Sequence, residues 1–197
     1  MKPQLILASK SERRVKLLNR AGIKFKQISG DTNEDTNLKR PSAIVKELSF
    51  RKALVIAKKH PDKPVIGADT LVFRKGKILG KPKNLKEAIA MLKFQNGNWQ
   101  TVYSGTALVW IEKNIYLKDY DASACKARKL NSDELRYFAK KHMDKAGGYA
   151  IQDTDDVFIE KIKGRFDTIV GLPINLIRKY IRLCDKINSS FGSSDLN

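Results

Sequence analysis

The sequence predicts an α/β protein built on a mixed, strongly twisted sheet. Three observations carry the prediction. Short apolar runs with strand character alternate with helical spacing through the first half, two long strand-like runs in the middle read as a hairpin, and helical spacing returns near the end. A chain of 197 residues with 42% hydrophobic content can bury a core of its own, which argues against intrinsic disorder. No internal repeat suggests a solenoid.

Residues 5–8 read as a short buried strand, and Ser9-Lys10-Ser11 leads into helical spacing at Val15, Leu17, Leu18 and Ala21, ended by Gly22. A serine before a helix can cap free backbone N–H groups, or those groups and the helix dipole can hold a phosphate. Residues 25–28 suggest a second strand and 30–40 a polar acidic loop, followed by an amphipathic helix over 41–59. Residues 65–73 read as a buried strand interrupted by Gly67-Ala68-Asp69-Thr70, then a Lys75-Gly76 turn, Lys81-Pro82 and a helix over 84–94. The runs 99–111 and 116–128, joined by Glu112-Lys113-Asn114, fit a long hairpin. A helix over 132–141, strands over 149–152 and 157–162, and a last helix over 173–184 with proline in its first turn complete the pattern. The expected organisation is one domain over 1–186, with two lobes meeting near Asp69 and Gly147, and a disordered tail over 187–197.

No apolar stretch approaches the roughly 20 residues of a membrane span, and the first residues lack a secretory core. Cys125 and Cys184 lie far apart, outside any CxxC or Cys/His cluster, so a zinc site or disulfide framework has no support and a reducing, cytoplasmic setting is expected. They read as small buried residues, His60 and His142 as surface histidines, and Met91, Trp99 and Trp110 as core or half-core. The formal charge of +18 makes nucleic acid, anionic membrane or polyphosphate candidate partners. Lysines scattered along the whole chain read first as a solvated surface, so nucleic acid is not the favoured partner and a membrane is not expected.

Several features suit a polyphosphate. Around Ser9 to Arg14, small residues let the backbone approach an anion and arginines can grip phosphate in bidentate fashion. Arg13 and Arg14 point about 100° apart on a helix, so one is expected at the site and the other paired elsewhere. Asn33-Glu34-Asp35 forms an acidic loop, and Asp69 stands in an apolar strand, where a carboxylate is costly without a partner. Carboxylates from separate segments can jointly hold Mg2+. Lys52 and Lys81 can neutralise phosphate, the latter framed by Gly80 and Pro82. No Walker loop, Rossmann glycine fingerprint or HExxH is present.

Together, the strings LILASKSERR (5–14), GADT (67–70), GKP (80–82), DKAGGYAIQ (144–152) and VGLP (170–173) resemble the Maf family of nucleoside triphosphate pyrophosphatases in order and spacing. The resemblance implies a Maf/inosine-triphosphatase-like fold, an elongated mixed sheet flanked by helices with a cleft between two lobes, often as a homodimer. It implies hydrolysis between the α and β phosphates with a divalent metal, Mg2+ or Mn2+, in nucleotide-pool housekeeping linked to division arrest. By matching position it implies Asp69 as general base and metal ligand, Glu34 as metal ligand, and Ser9, Arg13, Arg14, Lys52 and Lys81 around the triphosphate. Arg13, Thr70 and Gln152 match the dTTP/UTP-preferring branch, and an amide such as Gln152 can pair with a uracil or thymine edge. Two positions depart from the pattern: Glu12 replaces a proline and Asn33 an aspartate. The competing expectations are a 7-methyl-GTP or broad non-canonical nucleotide hydrolase, and a non-enzymatic nucleic-acid-binding or division-regulating protein.

Overall fold

The computed structural model describes residues 4–141, 143, 146–148 and 158–191. In chain order the elements are β1 (Ile6–Ala8), α1 (Glu12–Arg20), β2 (Lys26–Gln27), α2 (Pro41–Ala57), β3 (Val65–Arg74), β4 (Lys77–Leu79), α3 (Leu85–Gln95), β5 (Trp99–Trp110), β6 (Ile115–Ala127), α4 (Ser132–Lys141), a 3-10 turn (Ala146–Gly148), β7 (Ile159–Lys163), α5 (Phe166–Val170) and α6 (Ile174–Phe191). They form a seven-stranded mixed sheet, ordered β2-β1-β3-β5-β6-β7, with β4 on the free edge of β3. The pairs of β1 with β2 and β3 are parallel, and the rest are antiparallel.

Asp69 does not interrupt its strand: β3 runs unbroken from Val65 to Arg74. Gly67 is there for close packing, since a Cβ on it would lie 2.0 Å from the Ser49 carbonyl oxygen of α2. Gly105 plays the same part on β5, where a Cβ would lie 2.1 Å from the Val45 carbonyl oxygen. The helix backbone therefore rests directly on the sheet, which fixes α2 over β3 and β5.

On the opposite face, Ile66, Ala68 and Leu108 pack with Leu17 and Leu18 of α1 and Ile177 and Tyr180 of α6. Further along that face, Val72, Val102 and Cys125 pack with Ala88 and Leu92 of α3 and Leu135 and Phe138 of α4. These separate cores are the two lobes.

Two short elements were not legible in advance. Lys75 (φ 43°) and Gly76 (φ 78°) both adopt left-handed backbone, as a tight two-residue hairpin requires, and this returns Lys77–Leu79 as β4. The five-residue α5 ends at Gly171 (φ 115°), too short for hydrophobic periodicity to reveal. The last helix continues beyond Lys186 to Phe191, through residues 187–191 assigned to a disordered tail. Trp110 is core, but Trp99 is 37% exposed. Both cysteines are buried. The expected strand over 149–152, including Gln152, and His142 lie outside the described residues.

Candidate active site

β1 ends where Ala8 pairs with Gly67, and β4 takes up the same edge of β3 only at Val72. Residues 68–71 thus have no strand partner on that side. The chain leaving β1 turns away through Ser9-Lys10-Ser11 into α1, and the chain leaving β4 passes through Gly80-Lys81-Pro82. The result is a notch in the sheet between the lobes, where strands diverge and backbone groups become available to a ligand.

Asp69 faces α2 in this notch and is only 8% exposed. Ile44, Leu48 and Lys52 share one stripe of α2 by their four-residue spacing; the first two pack with Leu71, and Lys52 extends the stripe to the carboxylate. Lys52 Nζ donates to Asp69 Oδ1 at 2.6 Å and lies 2.7 Å from Glu34 Oε1. Burial pushes the Asp69 pKa above the usual carboxylate value, opposed by the charge and hydrogen bond of Lys52 and by the Arg14 charge. Glu34, more exposed, is held low by its hydrogen bond from Lys52, and the charges of Lys52, Lys81 and Arg14 act in the same direction. The two carboxylates converge on one ammonium yet differ in basicity, with Asp69 the readier proton acceptor.

The acidic loop is tied down by Arg51, one residue before Lys52 on α2. Its guanidinium donates to the carbonyls of Asn33 (3.3 Å) and Asp35 (2.8 Å), flanking Glu34, while Glu47 accepts from its Nε. Asn33 Oδ1 accepts from the Asp35 N–H at 2.7 Å, a local turn that explains how Asn serves at this position. Asp35 is exposed. Arg51 was missed in the sequence because one more arginine in a basic helix carries no signal until the loop folds against it.

Arg14 turns into the wall of the notch. Its Nε donates to the Gly171 carbonyl at 2.9 Å, and its terminal nitrogens donate to the Ala68 carbonyl (3.0 Å), Ser9 Oγ (3.0 Å) and Thr70 Oγ1 (3.1 Å). It thereby satisfies the Ala68 carbonyl left open by the end of β1. Burial lowers its pKa to about 10, so it is still a cation at neutral pH. Thr70 Oγ1 also meets Ser104 Oγ at 3.0 Å, Ser104 donates to the Thr168 carbonyl at 2.7 Å, and the Thr168 hydroxyl donates to Asp121. Arg14 and Thr70 therefore brace the back of the notch.

Ser9 Oγ accepts from the Ser11 N–H at 3.3 Å as well as from Arg14, while Ser11 at the N-cap makes no side-chain cap. The alternative of a serine capping α1 is not realised. Arg13 is half-buried in the first turn of α1, and the departing residue Glu12 is exposed at the helix start, where the dipole favours an acid. Lys81 is exposed, and the Gly80 carbonyl accepts from the Gly147 N–H at 2.9 Å, joining the two glycine motifs at the edge of the notch.

With this geometry in place, the comparison with known families is decisive: the family model described as Maf-like protein matches residues 4–184. The chain belongs to the Maf family. It is similar to the dTTP/UTP pyrophosphatase of Elusimicrobium minutum (strain Pei191), 48% identical over 91% of this chain and 97% of that protein. A protein of the same name from Thermosipho melanesiensis is 41% identical over 88% of this chain and 93% of its own, and one from Aquifex aeolicus is 36% identical over 96% and 100%. Among solved structures, the Staphylococcus aureus Ham1 protein shares the fold with a TM-score of 0.53 at 12% identity, over 91% of this chain and 98% of that one.

The Maf chain's donor set also bears on a metal. Asp69 and Glu34 each give one oxygen to Lys52 and have a second, hard oxygen donor, which suits a cation that retains water and substrate phosphate among its ligands. Among the described residues no group of three His, Cys, Asp or Glu converges, so the set has no all-protein cage.

Proposed function

We propose that the protein hydrolyses dTTP and UTP between the α and β phosphates, releasing the nucleoside monophosphate and pyrophosphate. The observation that carries the reading is the convergence of the buried Asp69 and the exposed Glu34 on Lys52 in the notch of the sheet. The names of the relatives support the pyrimidine substrates, and the resemblance of Gln152 to the family's base-reading amide supports the same choice.

Asp69 accepts the proton of an attacking water as its oxygen bonds to the α phosphorus. The bond from that phosphorus to the bridging oxygen breaks, and pyrophosphate leaves. Lys52 keeps Asp69 ionised despite its burial, and a carboxylate raised above its ordinary range is the stronger base. Lys81, Arg13 and the uncapped start of α1 meet the phosphates, so charge gathering on the leaving group is stabilised by groups already in place. Mg2+ or Mn2+, held by Glu34 and Asp69, would supply further neutralisation of phosphate oxygens. Arg14, Ser9 and Thr70 hold the walls of the site rather than the substrate.

The test is pyrophosphate release from dTTP, UTP, CTP, 7-methyl-GTP and ITP with each metal, wild type beside Asp69→Asn. Release chiefly from dTTP and UTP, lost in the variant, is expected. Another preferred base would overturn the pyrimidine assignment, and normal turnover by the variant would overturn Asp69 as base.

A further inference from the structure

The face of the sheet that carries Asp69 is only partly covered by α2. Beside the helix, cross-strand register places Phe73, Tyr103 and Tyr120 on neighbouring strands of this same face, with Trp99, Lys126 and Lys163 at its far side. The opposite face of this region is closed by α3 and α4, and Val102, Ser123 and Cys125 there are buried. On the open face Ala122 is exposed, Tyr120 is 42% exposed and Trp99 is 37% exposed. α2 borders the patch, with Phe73 and Tyr103 packed against its Ile44 and Leu48 and its Lys46 over Tyr120, while Ala122 and Trp99 beyond it are open. Phe73 lies about 13 Å along β3 from Asp69 at roughly 3.3 Å per residue, and Tyr120 lies level with Asp69, two strands across at about 10 Å, with the α2 backbone resting on Gly105 between them.

The aromatic rings form a connected surface. Phe73 meets Tyr103 edge-on at 6.3 Å between centroids, and Tyr103 stacks on Tyr120 at 6.2 Å. Lysines are interleaved with the rings: Lys46 Nζ lies 5.8 Å from the Tyr120 centroid and Lys163 Nζ 5.0 Å from that of Trp99. Lys126 and Lys161 share the one carboxylate of Glu160, at 3.5 and 3.8 Å, leaving the edge net positive. The whole chain carries +18.

We propose that this face binds single-stranded nucleic acid. Bases stack on Trp99 and Tyr120, Tyr103 supports Tyr120 from beneath, and Lys46, Lys161 and Lys163 meet the backbone phosphates. Exposed π-faces with interleaved cations suit a strand whose bases are unpaired and whose phosphates are regularly spaced. A second copy of the chain suits this face poorly, because a two-fold contact through it would bring two lysine-rich copies of the same face together.

The experiment is a titration of fluorescently labelled oligothymidylate of about 12 nucleotides, a length within the range such platforms cover. Anisotropy and intrinsic tryptophan fluorescence are read together; Trp110 is 2% exposed, so quenching by the strand reports Trp99. Saturable binding that quenches tryptophan and weakens steeply with salt is expected, with a duplex of equal length binding more weakly. Tyr120→Ala and Trp99→Ala should each weaken binding about tenfold while dTTP turnover stays at the wild-type rate. An excess of dTTP should leave the strand bound. Absence of binding at low salt, or unchanged affinity in both variants, would overturn the proposal. So would sedimentation showing that Tyr120→Ala dissociates a dimer rather than releasing a strand. Because dTTP turnover is measured separately, failure here is distinguishable from failure of the pyrophosphatase reading.

Discussion

Asp69 and Thr70 are consecutive residues of one strand, and the polar groups gathered around them are built to opposite plans. Asp69 faces α2, where its carboxylate and that of Glu34 share a single ammonium and retain oxygen lone pairs for a ligand. Thr70 faces the other way, into a chain of hydrogen bonds running from Arg14 through Ser104 and Thr168 to Asp121. The first group leaves a buried carboxylate with a raised pKa, a cost that is useful only when chemistry needs a base. The second uses nearly every donor and acceptor internally, which holds the notch open and fixes its shape. Strand alternation separates them: a shift of register by one residue would exchange their surroundings.

The largest difference between the two plans should appear in activity. Asp69→Asn is expected to lower dTTP turnover by about 10²–10⁴-fold, the range of a general base, while circular dichroism remains native. Its stability should not fall at pH 7. A carboxylate whose folded pKa is raised binds its proton more tightly in the native state, so ionised Asp69 costs stability above that pKa and the cost disappears as pH falls through it. Asn avoids the cost, and Lys52 keeps Glu34 as partner. A large fall in melting temperature would contradict this account.

Arg14→Met attacks the other side and should act first on stability. It takes the guanidinium donor from the buried Ala68 carbonyl, leaves the Gly171 carbonyl only the 3.4 Å contact of Thr70 Oγ1, and is expected to cost about 1–3 kcal/mol in urea unfolding. Arg14→Lys should recover only part, since an ammonium cannot span the same partners. If Arg14→Met were fully stable yet unable to bind nucleotide, Arg14 would belong to the substrate site after all.

Gly105→Ala tests the packing beneath both groups. Its Cβ would lie 2.1 Å from the Val45 carbonyl oxygen, so α2 must shift away from the sheet, costing about 1–3 kcal/mol and moving Lys52 relative to Asp69. Loss of stability with a further fall in kcat is expected; an unchanged melting temperature would mean that the helix does not rest on this glycine.

The smallest effect is a displacement of a pH profile. Because an Asp69 base works deprotonated, its raised pKa places the acid limb of kcat/KM above the ordinary aspartate value of 3.8. Lys52→Met removes a charge that opposes the burial effect, so its residual activity should fall off at higher pH than in wild type. An acid limb that does not move would separate Lys52 from the ionisation of Asp69.

Much of this molecule follows from local pattern. Alternating apolar runs, helical spacing and the long hairpin specify the α/β class because burial of one face imposes a period on the chain. Asp69 stood out because an acid amid Val65, Ile66, Leu71 and Val72 needs a reason to be there. Glu34, Lys52 and Lys81 are ordinary surface types in isolation; an acidic loop and a Gly/Pro frame made Glu34 and Lys81 candidates, and the resemblance across motifs gave all three their roles. The tertiary structure alone decided that Lys52 joins Glu34 to Asp69, that Arg51 holds the acidic loop, and that Arg14 binds Gly171, far along the chain. It also decided that Gly67 packs against a helix within an unbroken strand. The division has one physical cause. Hydrophobic periodicity is a property of neighbours in sequence, whereas the partner of a polar group is set by which distant segments the folded core brings together.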